Sequence, residues 1–600
     1  MKNNYLPMTP DEVRDAGWDG VDVVLVTGDA YVDHPSFGAA VIGRTLQKQG
    51  YTVAILSQPD WRSCEDFRTF GKPRLFFGIT SGNMDSMINK YTALRKVRND
   101  DAYSEGGEPF RRPDRAAIVY GCRAREAFKD VPVVMGGIES SLRRFAHYDY
   151  WSDEIRRSVL LDAKADLLVY GMGERQAVEI ARRLSGGEDI QAMRDIPGTM
   201  YPLAGSGASP PSPGPNVLYL PAFEEVKSNP EMFSLATRLI IEKAAPYGAA
   251  STASATAPRL LVQTHGKKAV VQVGPPPPLT TGQMDALYEL PYTRKPHPRY
   301  VRPIPAFTMI RNSVTAMRGC FGGCSFCAIA LHQGRDIQSR SPSSIVREME
   351  RIASSKGFDG TITDIGGPTA NMYMMGGRDR LRCARCTRPS CLYPAVCPNL
   401  NTDHGPLIRL LRRARRVRGV KHVFVSSGIR MDLALRSPEY IEEVARHHTG
   451  GRMKVAPEHV SERVLNLMKK PGIEVFERFV RLFEKFSPDK GDRSVVPYII
   501  TSHPGTTIRE AAELSRYLQK NGYRPREVQD FIPSPMTVST SMYRTGIDPF
   551  SGKRIYVPRG EREKRLFRKL AQYFKPENRH TVARVLAERG RNKRGKKDTP

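Results

Sequence analysis

Short runs of β-branched and other apolar residues alternate with segments of helical spacing along the first 200 positions. VDVVLVTGD (21–29) has the texture of a strand buried on both faces. SFGAAVIGRTLQKQG (36–50) repeats its apolar residues at helical intervals and stops at a glycine, and YTVAILSQ (51–58) supplies a second strand. RLFFGIT, AAIVYG, VPVVMGG and DLLVYGMGE, each bounded by Gly or Pro, predict further strands, and GERQAVEIARRLSGG (173–187) predicts a closing amphipathic helix. Strand–helix alternation of this kind predicts an α/β, doubly wound parallel sheet over residues 1–200.

The pattern changes over 201–300, which is expected to be a linker region with short helical and strand pieces. AGSGASPPSPGPN and APYGAASTASATAP are too poor in large apolar side chains to order themselves, and they flank one helical piece, PEMFSLATRLIIEKA. From 301 to 540 the alternation resumes six times. The strand candidates are IRNSVTAMRGC, GTITDIGGP, HVFVSSGIR, RMKVAPEH, SVVPYIITSHPG and EVQDFIPSP. The helices between them include one long candidate, SERVLNLMKKPGIEVFERFVRLFEKF (461–486). Six βα repeats with polar strand ends predict a partial (β/α)6 barrel whose chemistry sits at the carboxyl ends of the strands.

Cysteine placement adds the chemistry. Seven of the nine cysteines fall between 320 and 397, which argues for metal ligation in a reducing compartment rather than for a disulfide scaffold. Cys320, Cys324 and Cys327 follow the first barrel strand in RGCFGGCSFC. Three thiolates on one Gly-containing loop can hold three irons of a [4Fe–4S] cluster and leave the fourth open. A structural zinc site wants four protein ligands, and His332, five residues downstream, is the nearest recruit. Cys383, Cys386, Cys391 and Cys397 form a second set in an irregular Pro- and Arg-rich segment. Four cysteines in 15 residues suit either zinc or an auxiliary iron–sulfur cluster.

The CxxxCxxC loop, with the aromatic Phe326 before its last cysteine, resembles that of the radical S-adenosylmethionine (SAM) superfamily. SVTAMRGCFGGCSFCAIALHQGRDIQSRS, TDIGGPTANMY, VAPEHVSERVLNLMKKPG and SHPGTT resemble the YgiQ-type family within it, over nearly the whole chain. The resemblance implies a [4Fe–4S] cluster, bound SAM, an electron donor for the cluster, and reductive cleavage of SAM that starts radical chemistry on an unidentified substrate. It implies that Gly366 and Gly367 bind the SAM amino group, although Pro368 stands where the superfamily often has Glu. By position at the strand ends, Ser427 and Arg430 are candidates for the ribose and the SAM carboxylate, and Glu458 for the ribose hydroxyls; His503 is expected to make a structural hydrogen bond. The N-terminal sheet is similar to the Rossmann-like cobalamin-binding domains that precede many such barrels. Bound cobalamin is not expected, because the motif Asp-x-His-x-x-Gly is absent: Asp33 and His34 are adjacent and Gly38 falls one position late.

Charge adds a hint about partners. The chain carries a net +29, and residues 553–600 hold 17 Lys and Arg against five Asp and Glu. The region 541–600 is therefore expected to be a basic extension with a disordered tail, RGRNKRGKKDTP. Arg409, Arg412, Arg413, Arg415, Arg416 and Arg418 crowd one helix candidate, and such density attracts RNA or another polyanion. RNA modification by methylthiolation or methyl transfer is thus an alternative function, and a metal-stabilised nucleic-acid-binding protein without catalysis is the alternative of another class. No apolar run approaches the ~18 residues of a membrane span, and a cytoplasmic location is expected.

Overall fold

Both faces of the five apolar runs in the N-terminal half are covered, and the runs become parallel strands. β1 (Val23–Thr27), β2 (Val53–Ser57), β3 (Phe76–Thr80), β4 (Val133–Met135) and β5 (Leu167–Val169) lie in the order β2-β1-β3-β4-β5. This order reverses between β1 and β3, which makes their carboxyl ends the topological switch point of the sheet. Helices α1 (Gly38–Lys48), α2 (Ala116–Ala127), α3 (Gly137–Leu142) and α4 (Glu174–Ser185) connect and cover the strands. The computed structural model describes residues 4–203, 209–243, 260–487 and 494–594.

AAIVYG, expected as a strand, begins α2 instead. Its apolar residues continue at helical rather than alternating spacing, with Ala116, Ala117, Tyr120 and Ala124 all buried against the sheet. The stretch expected as a linker differs more. β6 (Thr199–Leu203), β7 (Val217–Tyr219), β8 (Leu260–His265) and β9 (Lys268–Gln272) extend the same sheet to nine strands in the order β7-β8-β9-β6-β5. The helical piece is α5 (Pro230–Lys243), which buries Phe233, Ala236 and Ile240. Residues 204–208, the start of the first small-residue stretch, and 244–259, which contain the second, lie outside the described residues.

The six expected barrel strands all form. β10 (Ser313–Thr315) pairs in parallel with β12 (Asp364–Gly366), and β11 (Thr361–Ile362) with β13 (His422–Val423). β14 (Arg452–Glu458), β15 (Ser494–Thr501) and β16 (Gln529–Asp530) make a second parallel group; the second barrel strand is the broken pair β11 and β12. Around them run α6 (Pro342–Ala353), α7 (Gly405–Ala414), α8 (Pro438–His447), α9 (Glu462–Met468), α10 (Ile473–Phe486) and α11 (Ile508–Lys520). The one long helix expected over 461–486 is two, because Lys469 adopts a left-handed conformation and Pro471 cannot continue the α9 hydrogen bonds. Val314, Ile365, Val423, Val455, Leu411 and Phe479 share the barrel core.

The C-terminal extension is folded as far as it is described. After α12 (Val538–Thr545), α13 (Glu561–Ala571) and α14 (Arg579–Arg594) pack Phe567 and Leu570 against Ala511 of α11 and against Val582 and Val585. The first six residues of the tail expected to be disordered therefore belong to α14, and 595–600 lie outside the described residues.

Candidate metal centre and cofactor site

The three-cysteine loop follows β10 and is fixed by close backbone approaches. Gly319 (φ +87°) lies where an added Cβ would stand 2.0 Å from the Asp336 carbonyl oxygen, and Gly323 (φ +66°) where one would stand 2.5 Å from that of Pro389. Cys320, Cys324 and Cys327 are partly buried on this loop. Burial pushes the Cys320 thiol up, and burial together with the neighbouring Cys324 pushes Cys327 up to about 12. Three thiolates so close repel one another without a compensating cation, and a bound metal group reverses that penalty; the donor set fits iron. Thr369 Oγ1 lies 3.6 Å from Cys320 Sγ. Among the described residues, no three His, Cys, Asp or Glu side chains converge closely enough to hold a single ion. A cubane instead spreads its ligands over separate corners.

Arg430, expected at the SAM carboxylate, has two of its nitrogens on Asp432 (Nε 3.0 Å, Nη2 2.5 Å), while Nη1 donates to Cys324 Sγ at 3.3 Å. Burial opposes the charge on Asp432, but the Arg430 guanidinium holds its carboxyl below the usual range. Ser427, expected at the ribose, donates from Oγ to the Asp364 carboxylate at 2.8 and 2.9 Å and from its amide at 3.0 Å. Gly366 closes β12, and an added Cβ there would lie 1.7 Å from Ser427 Oγ; one on Gly367 would lie 2.4 Å from the Met317 carbonyl oxygen. Glu458 ends β14 at φ +70°, buried, with Lys470 Nζ 3.9 Å from Oε1 and no hydrogen-bond partner on Oε2 among the described residues. An orphaned, buried carboxylate oxygen at a barrel-strand end fits a hydroxyl-bearing ligand.

Two groups that sequence reasoning missed hold the loop in place. From one side, Ser390 Oγ donates to the Gly322 carbonyl (2.7 Å) and the Cys391 amide to that of Phe321 (3.2 Å), so the four-cysteine insert sits directly on the loop. From the other, Ser325 meets Met468 and Ser539. Phe326 packs edge-on to His503. The run of small hydroxyl residues in SPMTVSTS after β16 was the available signal for the second contact.

The insert is mostly irregular. Cys383 lies on a five-residue helix (Arg380–Ala384) and accepts a hydrogen bond from Asn399 Nδ2 at 3.2 Å; the Cys386 amide donates to the Cys383 carbonyl and the Cys397 amide to that of Cys391. Burial raises the Cys383 thiol and pushes Cys391 up to about 11, the latter offset in part by Arg335 and reinforced by Cys397 and Cys386.

A cavity of about 550 Å³ opens between the switch point of the N-terminal sheet and the barrel. Its walls include Leu25, Asp29, Phe37, Tyr103, Met317, His332 and Gly367. Asp29 is buried beside Arg112 (3.0 Å), and burial lifts its carboxyl to about 6. Glu174 pairs with Arg318 at 2.6 Å. His332 sits on this wall with Nδ1 3.0 Å from Ser141 Oγ, away from the ligand role considered for it. The His34 ring is buried with Nδ1 accepting the Ser36 amide (3.1 Å), and it is not part of the wall.

Family comparison agrees with this geometry. Residues 5–313 match the model described as "Radical SAM N-terminal", 314–518 "Radical SAM superfamily" and 526–595 a "Domain of unknown function (DUF3362)". A UPF0313 protein of Bradyrhizobium diazoefficiens is 50% identical over 98% of this chain and 90% of its own length. The UPF0313 protein YgiQ of Salmonella typhimurium is 45% identical over 98% and 88%. Among solved structures, the radical SAM methyltransferase TsrM of Kitasatospora setae, with cobalamin and a [4Fe–4S] cluster bound, aligns over 86% of this chain and 77% of its own. It does so at 17% identity and a TM-score of 0.46. No helix among the described residues is long and apolar enough to cross a membrane. With two family models covering the sheet and the barrel, and full-length relatives at this identity, the chain belongs to the YgiQ-type UPF0313 family of the radical SAM superfamily and is a radical SAM enzyme.

Proposed function

We infer that the barrel mouth between the three-cysteine loop and the ends of β12, β13 and β14 binds a [4Fe–4S] cluster and SAM, with Cys320, Cys324 and Cys327 as the iron ligands. The observation that carries this reading is a loop of three thiols, fixed by its neighbours, that supplies no fourth ligand and meets a buried guanidinium. When bound, the cluster and SAM supply the electron and the sulfonium whose reductive cleavage starts radical chemistry on the substrate. The chain's own residues orient and shield. Gly366 and Gly367 bring backbone close to the methionine end, Ser427 is fixed by Asp364 on the ribose side, and Glu458 offers its unpartnered oxygen to the ribose. Arg430, anchored by Asp432, presents its remaining donor to Cys324 and the methionine carboxylate, and Phe326 walls the loop. Protein reconstituted with iron and sulfide makes 5′-deoxyadenosine from SAM and a one-electron reductant. Equal yield from Cys324→Ala defeats the reading.

The large cavity, on whose wall Gly367 lies, is the chamber for the substrate. Bound cobalamin is not part of this reading: the motif Asp-x-His-x-x-Gly is absent, and the His34 ring of the β1–α1 loop accepts the Ser36 amide. A corrin absorbance band retained after reconstitution with cobalamin and gel filtration overturns this point. Cys383, Cys386, Cys391 and Cys397 take a second metal or cluster, supported by four cysteines within one mostly irregular segment. An unchanged metal content in Cys383→Ala removes it.

RNA as substrate is the second reading. Arg409, Arg413, Arg416 and Arg418 are exposed on and after α7, whereas Arg412 is tied to Glu439 and Glu443 at 3.0 and 2.7 Å. Binding to transfer RNA that weakens steeply with salt supports it.

A further inference from the structure

Ser325, between the second and third cysteines of the loop, has every polar atom engaged. Its amide donates to the Met468 carbonyl (3.1 Å), its carbonyl accepts from the Ser539 amide (2.9 Å), and its Oγ lies 2.8 Å from Ser539 Oγ. Ser539 Oγ lies in turn 2.7 Å from His503 Nε2, and His503 Nδ1 lies 2.7 Å from the Pro504 carbonyl oxygen. Ser325 is 3% exposed, and Ser539 and His503 are fully buried. The imidazole is set by edge contacts with Phe326 and Phe531.

The direction of this chain follows from its last member. A carbonyl oxygen only accepts, so Nδ1 carries the hydrogen; burial pushes the His503 pKa down to about 3, which keeps the ring neutral and leaves Nε2 as an acceptor. Ser539 therefore donates to His503, and Ser539 Oγ accepts from Ser325. The Ser325 hydroxyl hydrogen points toward α12. Cys324, Ser325 and Cys327 line one cavity of about 60 Å³ on this loop.

We propose that His503 is a positioning residue which, through Ser539, keeps the Ser325 hydroxyl from donating to the cluster thiolates and so keeps the cluster strongly reducing. A donated hydrogen bond stabilises the extra negative charge of a reduced iron–sulfur cluster and raises its potential. The relay withholds one such donor from a centre that must pass an electron to SAM. Sequence alone indicated only a structural hydrogen bond for His503; the relay gives that bond an electronic consequence.

The inference rests on the reading that Cys320, Cys324 and Cys327 hold the cluster, and the experiment separates the two. Wild-type and Ser539→Ala proteins are reconstituted, their iron is counted, and the cluster couple is titrated potentiometrically with detection by electron paramagnetic resonance. An iron-free wild type defeats the functional reading itself. With iron bound, Ser539→Ala shifts the midpoint to more positive potential, Ser325→Ala does not, and the double variant matches Ser325→Ala. A purely structural role disturbs both single variants alike. An unmoved midpoint in Ser539→Ala, or an equal positive shift in Ser325→Ala, overturns the proposal. If Ser539→Ala fails to retain iron, His503→Gln decides, because its amide oxygen still accepts the Ser539 hydrogen: a wild-type midpoint supports the relay, and a shifted midpoint or lost iron rejects it.

Discussion

The two cysteine groups touch each other, through Cys391 on Phe321 and Ser390 on Gly322, and are built differently. The three-cysteine loop is fixed from outside: Gly319 against Asp336, Gly323 against Pro389, Ser325 between Met468 and Ser539, Phe321 against Cys391. The four-cysteine insert is irregular in backbone: turns join Cys383 to Cys386 and Cys391 to Cys397, and Asn399 donates to Cys383. Cys383, Cys391 and Leu392 reach into the barrel core while Arg335 and Asn466 hold Arg388 and Tyr393; its Leu381 is 63% exposed. A loop locked by four separate elements is preorganised before any metal arrives. A segment without regular secondary structure gains further order from what its thiols bind.

The sharpest way to break this contrast is to remove one cysteine from each group. Cys324→Ala should abolish 5′-deoxyadenosine formation, a loss of at least about 100-fold, because one iron loses its only thiolate and Arg430 its sulfur partner. The fold should survive, with a change in stability of about 1 kcal/mol for a partly buried side chain. Cys391→Ala should instead disorder the insert. Tryptic cleavage at Arg380, Arg382 and Arg385 should accelerate about tenfold while cleavage elsewhere holds, since local opening governs proteolysis. Equal proteolysis in both variants ends the distinction.

Acidification separates the groups next. Residues 376–400 contain no histidine, whereas the clamp on the other group contains His503. Burial holds His503 near 3 against an ordinary value of about 6.5, so between those values the loosened state binds more protons than the closed one. Above about pH 6.5 the ring is neutral in both states and pH has no effect through it; as pH drops toward 3 the closed state progressively loses stability relative to the loosened one. Iron loss to a chelator should therefore speed up from pH 7 to pH 5 more than tryptic cleavage of the insert does. The reverse order removes His503 from the clamp.

How much of this was legible in the sequence follows from the range of the interactions. The barrel strands and the cysteine loop are local patterns, a period and a spacing, and both stood out. The fate of 201–300 did not, because β7, β8 and β9 are short runs that join the sheet only through β9, which pairs with β6 about 70 residues earlier. AAIVYG misled for the opposite reason: six residues carry too little period to tell a strand from the start of α2. Strand-end position singled out Arg430 and Ser427 as candidates, but their partners Asp432 and Asp364 carry no spacing signal and stood out only in the structure. The relay from His503 joins residues up to 214 apart in the chain.

Ser390 gives the finest test, since it belongs to both groups. Its hydroxyl donates to Gly322 of the loop at 2.7 Å and accepts the Leu392 and Tyr393 amides of the insert at 3.0 and 2.9 Å, and the residue is fully buried. Ser390→Ala leaves one loop carbonyl and two insert amides without that partner, at a cost of about 1–3 kcal/mol for the buried groups. If the insert leans on the loop through this residue, tryptic cleavage between 380 and 388 should rise several-fold, less than in Cys391→Ala. Iron retained by the three cysteines should fall only slightly, because Gly319, Ser325 and Phe321 keep their own contacts. Iron loss matching that of Cys324→Ala would mean that the loop depends on the insert and not the reverse, and the preorganisation assigned to the loop would belong to the pair.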